Sequence, residues 1–566
     1  MAEKLIQKNK HKNLLLITGF SVILAIITLL NIRTLKQMVV LNDEFGYWSI
    51  AASIAGKNWR DLIKYTPYYN YGYSLLLVPL FFLDIPTQYV YRLAICYNVL
   101  FLISSYWLTI ACGKKIFPQI NDKSLIFLSF VANCHPNILL QTQIAWPETL
   151  LYFLFWLSVL LLIRLVEHVT VWRACLFSAT LCFMFMVHQR TLGIVMVGAL
   201  ALFALFAIKC IKPFQLIIPS ISIVLLSVLH FYIKSGLKGA LWVHSTTGGM
   251  NDFGSQVSMI EKVFSSTGIK NIFFSLNGKF YAFLVTGGIV FALGLCCCIK
   301  YMFKVALKGK KEGVVFGYIT LAFLISLGIS MLNVLEGFER IDTVVYTRYI
   351  ENVIGPIFLV GLGYIYLHRL SMRQWIIYAF ALAATGGITL HILCKVDSGS
   401  FVDVCSVGMS RFFSSGDVHK FCSYSFVFAI IFSLAISVLL IKKKRCFFAG
   451  ILICVGWIYL KQYPQVNTIE NYQKYKTYNN ERIARILREE EEIIYIRDSE
   501  YDAYCVNVKY LQFWIPDTAI YVEDIQNADF SETGIYIVEK GSTISEERKR
   551  KLFIIEETEE YFVYKK

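Results

Sequence analysis

The chain has 566 residues, of which 57% are hydrophobic and 16% charged. A soluble domain does not carry this much apolar sequence, and repeated apolar runs of about 20 residues match the thickness of a bilayer. The net charge of +15 is spread over short loops between those runs, with no nucleic-acid-binding motif beside it, so a nucleic-acid partner is excluded.

The basic start, MAEKLIQKNKHKN, precedes an apolar run at 14–31 with no small-residue cleavage site after it. It reads as a retained first crossing with a cytoplasmic N-terminus, not as a cleaved signal. A polar stretch, 32–88, follows as the first outer loop, with short interfacial helices. It holds Asp43 and Glu44, then Arg60 and Asp61, then Tyr68, Tyr69, Tyr71 and Tyr73. The tyrosines read as an aromatic belt at the membrane interface. The run 73–83 is too short to cross and reads as re-entrant or interfacial.

Further crossings are expected near 89–112, 124–142, 148–166, 174–188, 191–208 and 214–232. After a polar outer segment, 233–277, they continue near 279–299, 313–333, 350–367, 375–394, 424–441 and 446–462. Basic clusters at 113–123, 164–173, 209–213, 300–312, 368–374 and 442–445 fall on alternate loops, and the positive-inside rule assigns that side to the cytoplasm. The fold class is therefore a polytopic α-helical membrane protein of about 13 transmembrane helices. It is a multi-pass protein of the plasma membrane, in contact with membrane lipids. Residues 464–566 are charged, and mix a helix at 471–492 with strands near 492–497, 518–522, 534–538 and 553–556 and a short helix at 545–551. This is a small C-terminal α/β domain, placed outside the cytoplasm by thirteen crossings. Most of the fifteen cysteines lie in apolar runs without metal-ligand spacing, and read as small buried hydrophobes. Cys405 and Cys422, both on the outer side, are left open as a disulfide pair.

Ionisable residues at the ends of crossings are costly and mark function. On the outer side these are Asp43, Glu44, Arg60 and Asp61; Glu148 opening one crossing; His188 and Arg190 between two others; and Glu336, Glu339, Arg340, Asp342, Arg348 and Glu351 around another. A carboxylate above the bilayer suits a general base on an acceptor hydroxyl, and Asp43 is the first candidate. Glu44 is its companion, a candidate to hold the pair, touch a sugar or bind a divalent ion. Guanidinium groups fork onto phosphate oxygens. Arg190 and Arg348 are thus candidates for a lipid phosphate, with His188 and Arg60 assisting. Glu148, Tyr69, Tyr349 and Glu351 are candidates for acceptor or sugar contacts. The same residues have plainer readings as helix caps, first-turn carboxylates and snorkelling cations.

Several short motifs resemble the GT-C superfamily of integral-membrane glycosyltransferases, in the family 39-like branch of protein O-mannosyltransferases and bacterial aminoarabinose transferases. They are Asp43-Glu44 with its aromatic-rich helix, Trp146-Pro147-Glu148, His188-Gln189-Arg190 with Leu192-Gly193, and Arg348-Tyr349-Ile350-Glu351 before Pro356. YLQFWIPD at 510–517 resembles the C-terminal regions of bacterial members. The resemblance implies a GT-C-like transmembrane glycosyltransferase domain over 1–463 and a separate tail over 464–566. It implies a sugar donor on a polyprenyl phosphate at the outer face, an acceptor that is a glycan, lipid or protein, and inverting displacement with Asp43 as base. An O-antigen ligase or polymerase and a polysaccharide or lipid transporter are the alternative classes.

Overall fold

The structure, a computed structural model, describes residues 2–243, 259, 261–396, 399–440, 446–498, 500, 504–528, 530, 533–540, 542 and 552–566. Three expectations fall partly or wholly outside them: the middle of the 233–277 segment, the basic cluster at 442–445 and the helix at 545–551.

Among the described residues, 10 helices are long and apolar enough to cross a membrane, from His11–Thr34 to Phe447–Glu470. The other three expected crossings have different forms. Val171–Val187 and Glu351–Leu367 are helices of 17 residues each, about 26 Å long at 1.5 Å per residue, the lower limit of a span. The third breaks into Asp122–Ala132 and Pro136–Gln141. The residue before a proline is driven out of the α region, and His135 accordingly is extended (φ −55°, ψ 135°) with Pro136 opening the second piece. Asn133 at the break donates to Ser129 O at 2.8 Å and Thr109 Oγ1 at 3.1 Å.

The polar outer segment is shorter than expected at both ends. Helix Pro213–Leu241 runs past 232, and the helical stretch Ser266–Lys308, broken at Gly288 (φ 56°, ψ −154°), begins at 266. In the first extension, Lys234 Nζ reaches Gln189 Oε1 at 2.9 Å. Small residues let helices touch backbone to backbone. A Cβ on Gly361 would lie 2.0 Å from Val290 O, which locks Glu351–Leu367 against Ser266–Lys308.

The first loop is packed inside. Tyr68, Tyr69, Tyr71 and Tyr73 are 1%, 9%, 4% and 1% exposed, so the aromatic-belt expectation is corrected. The Tyr68 hydroxyl donates to Lys234 O at 2.8 Å, and Tyr47 meets the rings of Tyr69 and Tyr73 at 5.0 and 5.7 Å. Gly72 N donates to Met186 O at 2.9 Å; a Cβ at Gly72 would strike that carbonyl. The loop is thereby seated beside the end of Val171–Val187. The short pieces Ser74–Leu77 and Val78–Phe82 follow, with Phe82 and Leu83 exposed.

The tail carries helices Asn471–Leu487 and Val506–Trp514 and a five-stranded sheet. The strands are β1 (Glu492–Arg497), β2 (Ala519–Asp524), β3 (Ile535–Glu539), β4 (Phe553–Glu557) and β5 (Tyr561–Lys565), in the order β2-β1-β3-β5-β4. β1 pairs parallel with β2 and β3, and β5 antiparallel with β3 and β4. The second helix and β5 were not anticipated. Cys405 and Cys422, whose pairing the sequence leaves open, are both free.

The tail clamps the first loop. Trp59 Nε1 donates to Pro516 O at 3.0 Å, Val522 N to Asp61 Oδ2 at 3.1 Å, and Lys509 Nζ to Asn42 Oδ1 at 3.3 Å and Tyr65 O at 3.0 Å. Lys57 pairs with Asp517, and Phe513 meets Trp48 edge-on at 5.0 Å. The tail and the first loop therefore occupy the same end of the bundle. Trp59 is fully buried, stacked on Phe45 at 5.5 Å. We expect Trp59→Ala to destabilise this junction by about 3–5 kcal/mol, read as faster proteolysis of the tail in intact protein.

Candidate active site

Four charged residues far apart in sequence meet at the tail end of the bundle. Arg348 Nη1 donates to Asp43 Oδ2 at 2.6 Å, and its Nε to Glu148 Oε1 at 2.8 Å. Arg190 Nη1 reaches Glu148 Oε1 at 3.1 Å, and its Nη2 pairs with Glu148 Oε2. Glu148 thus bridges two guanidiniums, and Arg348 bridges two carboxylates. The Arg348 guanidinium lies 3.7 Å from the centre of the Trp146 ring, and that of Arg190 lies 4.6 Å from Tyr349. The Tyr69 hydroxyl donates to Asp43 Oδ1 at 2.6 Å.

Local sequence aims each group. Pro147 caps Glu148–Glu167, which puts Glu148 on the first turn, where the helix dipole favours a carboxylate. His188 ends Val171–Val187, and its Nδ1 accepts from Arg190 N at 3.3 Å. This side-chain cap turns the chain so that Arg190 enters the cluster. Arg348 precedes Glu351–Leu367; its backbone N–H and that of Thr347 both donate to Cys405 O at 3.3 Å.

Glu148, Arg190 and Arg348 are 3%, 8% and 6% exposed. The Asp43 side chain keeps 28% and is the opening of the cluster to solvent. Buried charges are tolerated when paired and hydrogen-bonded. One donor breaks that rule: among the described residues Arg190 Nε has no hydrogen-bond partner. An unmet guanidinium N–H beside a second guanidinium suits an incoming anion.

The Asp43-Glu44 pair divides its work. Burial raises the Asp43 carboxyl, but the Arg348 charge and the Tyr69 hydrogen bond prevail and hold it below the usual carboxylate range. Glu44 is fully buried and points away from the arginines. It accepts from Val39 N at 2.6 Å, Val40 N at 2.7 Å, the Tyr91 hydroxyl at 2.7 Å and Ala145 N at 3.0 Å. It caps Leu41–Ile54 and ties that helix to the turn before Trp146. Burial outweighs these donors and pushes its carboxyl up to about 7.

The other expected residues separate into two groups. Tyr69, His188 and Tyr349 touch the cluster. Glu351 and Arg60 do not. Glu351 is held below it by Asn137, Gln141 and the Thr347 hydroxyl. Arg60 is exposed and lines a different cavity with Tyr65 and Arg497. Tyr47 and the Asn137–Gln141 amides were missed. Uncharged residues inside apolar runs carry no signal until their neighbours are known. Among the described residues no group of three or more His, Cys, Asp or Glu side chains is placed to hold a metal ion. A divalent ion on Asp43 or Glu148 would also lie against the Arg348 guanidinium, so these carboxylates do not fit one.

A bundle of membrane-crossing helices, a long folded first loop and an α/β tail enclosing a carboxylate–arginine cluster define a class of multi-spanning membrane protein. One solved architecture it is similar to is that of ArnT from Cupriavidus metallidurans. The crystal structure of ArnT bound to undecaprenyl phosphate superposes with a TM-score of 0.55 at 10% identity, covering 97% of each chain. The apo structure gives 0.53 at 11% identity, over 97% of this chain and 98% of ArnT. At this identity the likeness establishes the fold alone. No protein-family model matches the sequence, and no curated protein matches it either.

A prediction follows from Glu44. Its folded-state carboxyl titrates near 7 against an ordinary value of 4.5. The folded state therefore holds the proton more tightly, and stability falls as pH rises from about 4.5 to about 7. Glu44→Gln should flatten that slope, worth about 3 kcal/mol, in melts recorded across this window.

Proposed function

We propose that this protein is a glycosyltransferase that moves a sugar from a polyprenyl-phosphate donor to an acceptor hydroxyl at the outer face of the membrane. The observation that carries the reading is the Asp43–Arg348–Glu148–Arg190 cluster with its unmet Arg190 donor. The solved fold gives it support, since ArnT was crystallised with undecaprenyl phosphate. In this reading residues 1–463 form the catalytic membrane domain, and the tail, 464–566, lies outside the cytoplasm with the first loop.

The donor phosphate enters beside Arg190 Nε and draws Arg348 from Asp43. With that charge neutralised by phosphate, the Asp43 pKa rises toward the value its burial favours, and the carboxylate becomes a better base. The acceptor oxygen attacks the anomeric carbon while Asp43 takes the hydroxyl proton. The bond from the anomeric carbon to the phosphate oxygen breaks, and the electron pair leaves with polyprenyl phosphate. Arg190 and Arg348 neutralise the leaving group as charge develops on it. Direct displacement inverts the anomeric centre. Glu148 holds both guanidiniums in place, and Tyr69 and His188 position Asp43 and Arg190.

The test is transfer by purified protein from synthetic polyprenyl-phosphate sugars to a panel of glycan, lipid and peptide acceptors. Asp43→Asn should lower kcat by roughly 10²–10⁴-fold while donor binding persists. Full activity in that variant would exclude Asp43 as base. Arg190→Ala should raise the Kd for polyprenyl phosphate by roughly tenfold or more, as expected for loss of a charged hydrogen bond of about 1.5–3 kcal/mol.

The pH profile gives a separate check. Arg348 holds the Asp43 carboxyl down in the resting protein. Removing it in Arg348→Ala should shift the acidic limb of the residual kcat/KM profile to higher pH. An unmoved limb would show that another group titrates there.

A further inference from the structure

The other end of the bundle holds a cavity of about 560 Å³ that the proposed transfer does not use. Glu148–Glu167 begins in the charged cluster and its last residue, Glu167, lines this cavity. Twenty residues at 1.5 Å per residue separate the two sites by about 30 Å, the thickness of a bilayer core. Glu351–Leu367 makes the same passage and contributes Leu367.

The walls have two characters. Ile163, Val166, Val315, Phe316 and Val360 form an apolar side continuous with the membrane-crossing part of their helices. Lys304, Lys310, Lys311 and His368 supply the polar rim. Lys115 is paired with Glu167 at 2.8 Å. Beyond that pair, three lysines face one carboxylate, Glu312. Among the described residues none of the three lysines is paired with a carboxylate. The Lys304 ammonium sits 4.0 Å from the centre of the Tyr301 ring, on the cavity wall.

We propose that this cavity binds the phosphate-bearing headgroup of an anionic membrane lipid, with its acyl chains along the apolar wall. A rim with excess positive charge at a helix end selects an anion, and a basic pocket between membrane helices suits an anionic headgroup. The volume lies in the range of an organic ligand site, and the apolar wall has no use in holding a free phosphate. The lipid acts here as a structural ligand that ties together helices Thr87–Ile116, Glu148–Glu167, Ser266–Lys308, Glu312–Leu332 and Glu351–Leu367.

The experiment compares thermal unfolding of the detergent-solubilised full chain with added phosphatidylglycerol, phosphatidylcholine or inorganic phosphate. The native protein should gain about 2–4 °C with phosphatidylglycerol and nothing with the other two. The double variant Lys304→Gln/Lys311→Gln should lose that gain. Lys310→Gln, an exposed position, should weaken it without perturbing the fold. Native mass spectrometry should show phosphatidylglycerol retained by the native protein and released by the double variant. An equal gain with phosphatidylcholine, or a gain unchanged in the double variant, would overturn the site. A gain with inorganic phosphate matching that with the lipid would overturn the lipid assignment. None of these readings involves glycosyl transfer, so this site and the proposed reaction fail separately.

Discussion

The Arg348 guanidinium is the point on which the rest of the site depends. It spans Asp43 from the first loop and Glu148 from a membrane helix, and lies against the face of Trp146. A guanidinium withdrawn from water this far needs its charge met on more than one side. Two carboxylates and an aromatic face meet it, and Glu148 passes the remaining charge balance to Arg190. The result is a four-membered chain of alternating charge, closed to solvent except at Asp43. Such a chain is costly to break by deleting one member, yet can exchange partners when a new anion arrives. That property suits the proposed transfer.

Holding that arrangement requires the first loop to be a rigid part of the fold. Three anchors accomplish this. Glu44 collects four donors and ties the loop to the turn at Ala145. Gly72 docks backbone to backbone on Met186. The tail closes over the loop through Trp59, Asp61 and Lys509. The tail therefore packs on the helix that carries Asp43, through Lys509 on Asn42 and Phe513 against Trp48.

Much of this architecture was legible as pattern. Apolar runs marked the crossings because a bilayer rewards about 20 apolar residues in a row whatever they pack against. The broken pair at 122–141 escaped, because hydropathy does not register a backbone break at His135-Pro136. The tyrosines at 68–73 suggest an interfacial belt by sequence because a cluster of rings has the same pattern at a membrane surface as in a packed loop. Asp43, Glu148, Arg190 and Arg348 stood out as ionisable groups at span ends, and the fold brings them together. Glu351 stood out equally and went elsewhere, into a network with Asn137 and Gln141.

The sequence by itself determined a multi-spanning helical protein with a polar first loop, an α/β tail and a short set of candidate charges. Those properties come from composition and periodicity, which act locally. Only the tertiary structure decided which charges meet. Arg348 and Asp43 lie 305 positions apart, and no local rule links them. It also separated Asp43 from Glu44, which are adjacent in sequence. One turns to Arg348 and the other to Tyr91 and Ala145, partners that only the folded chain brings within reach.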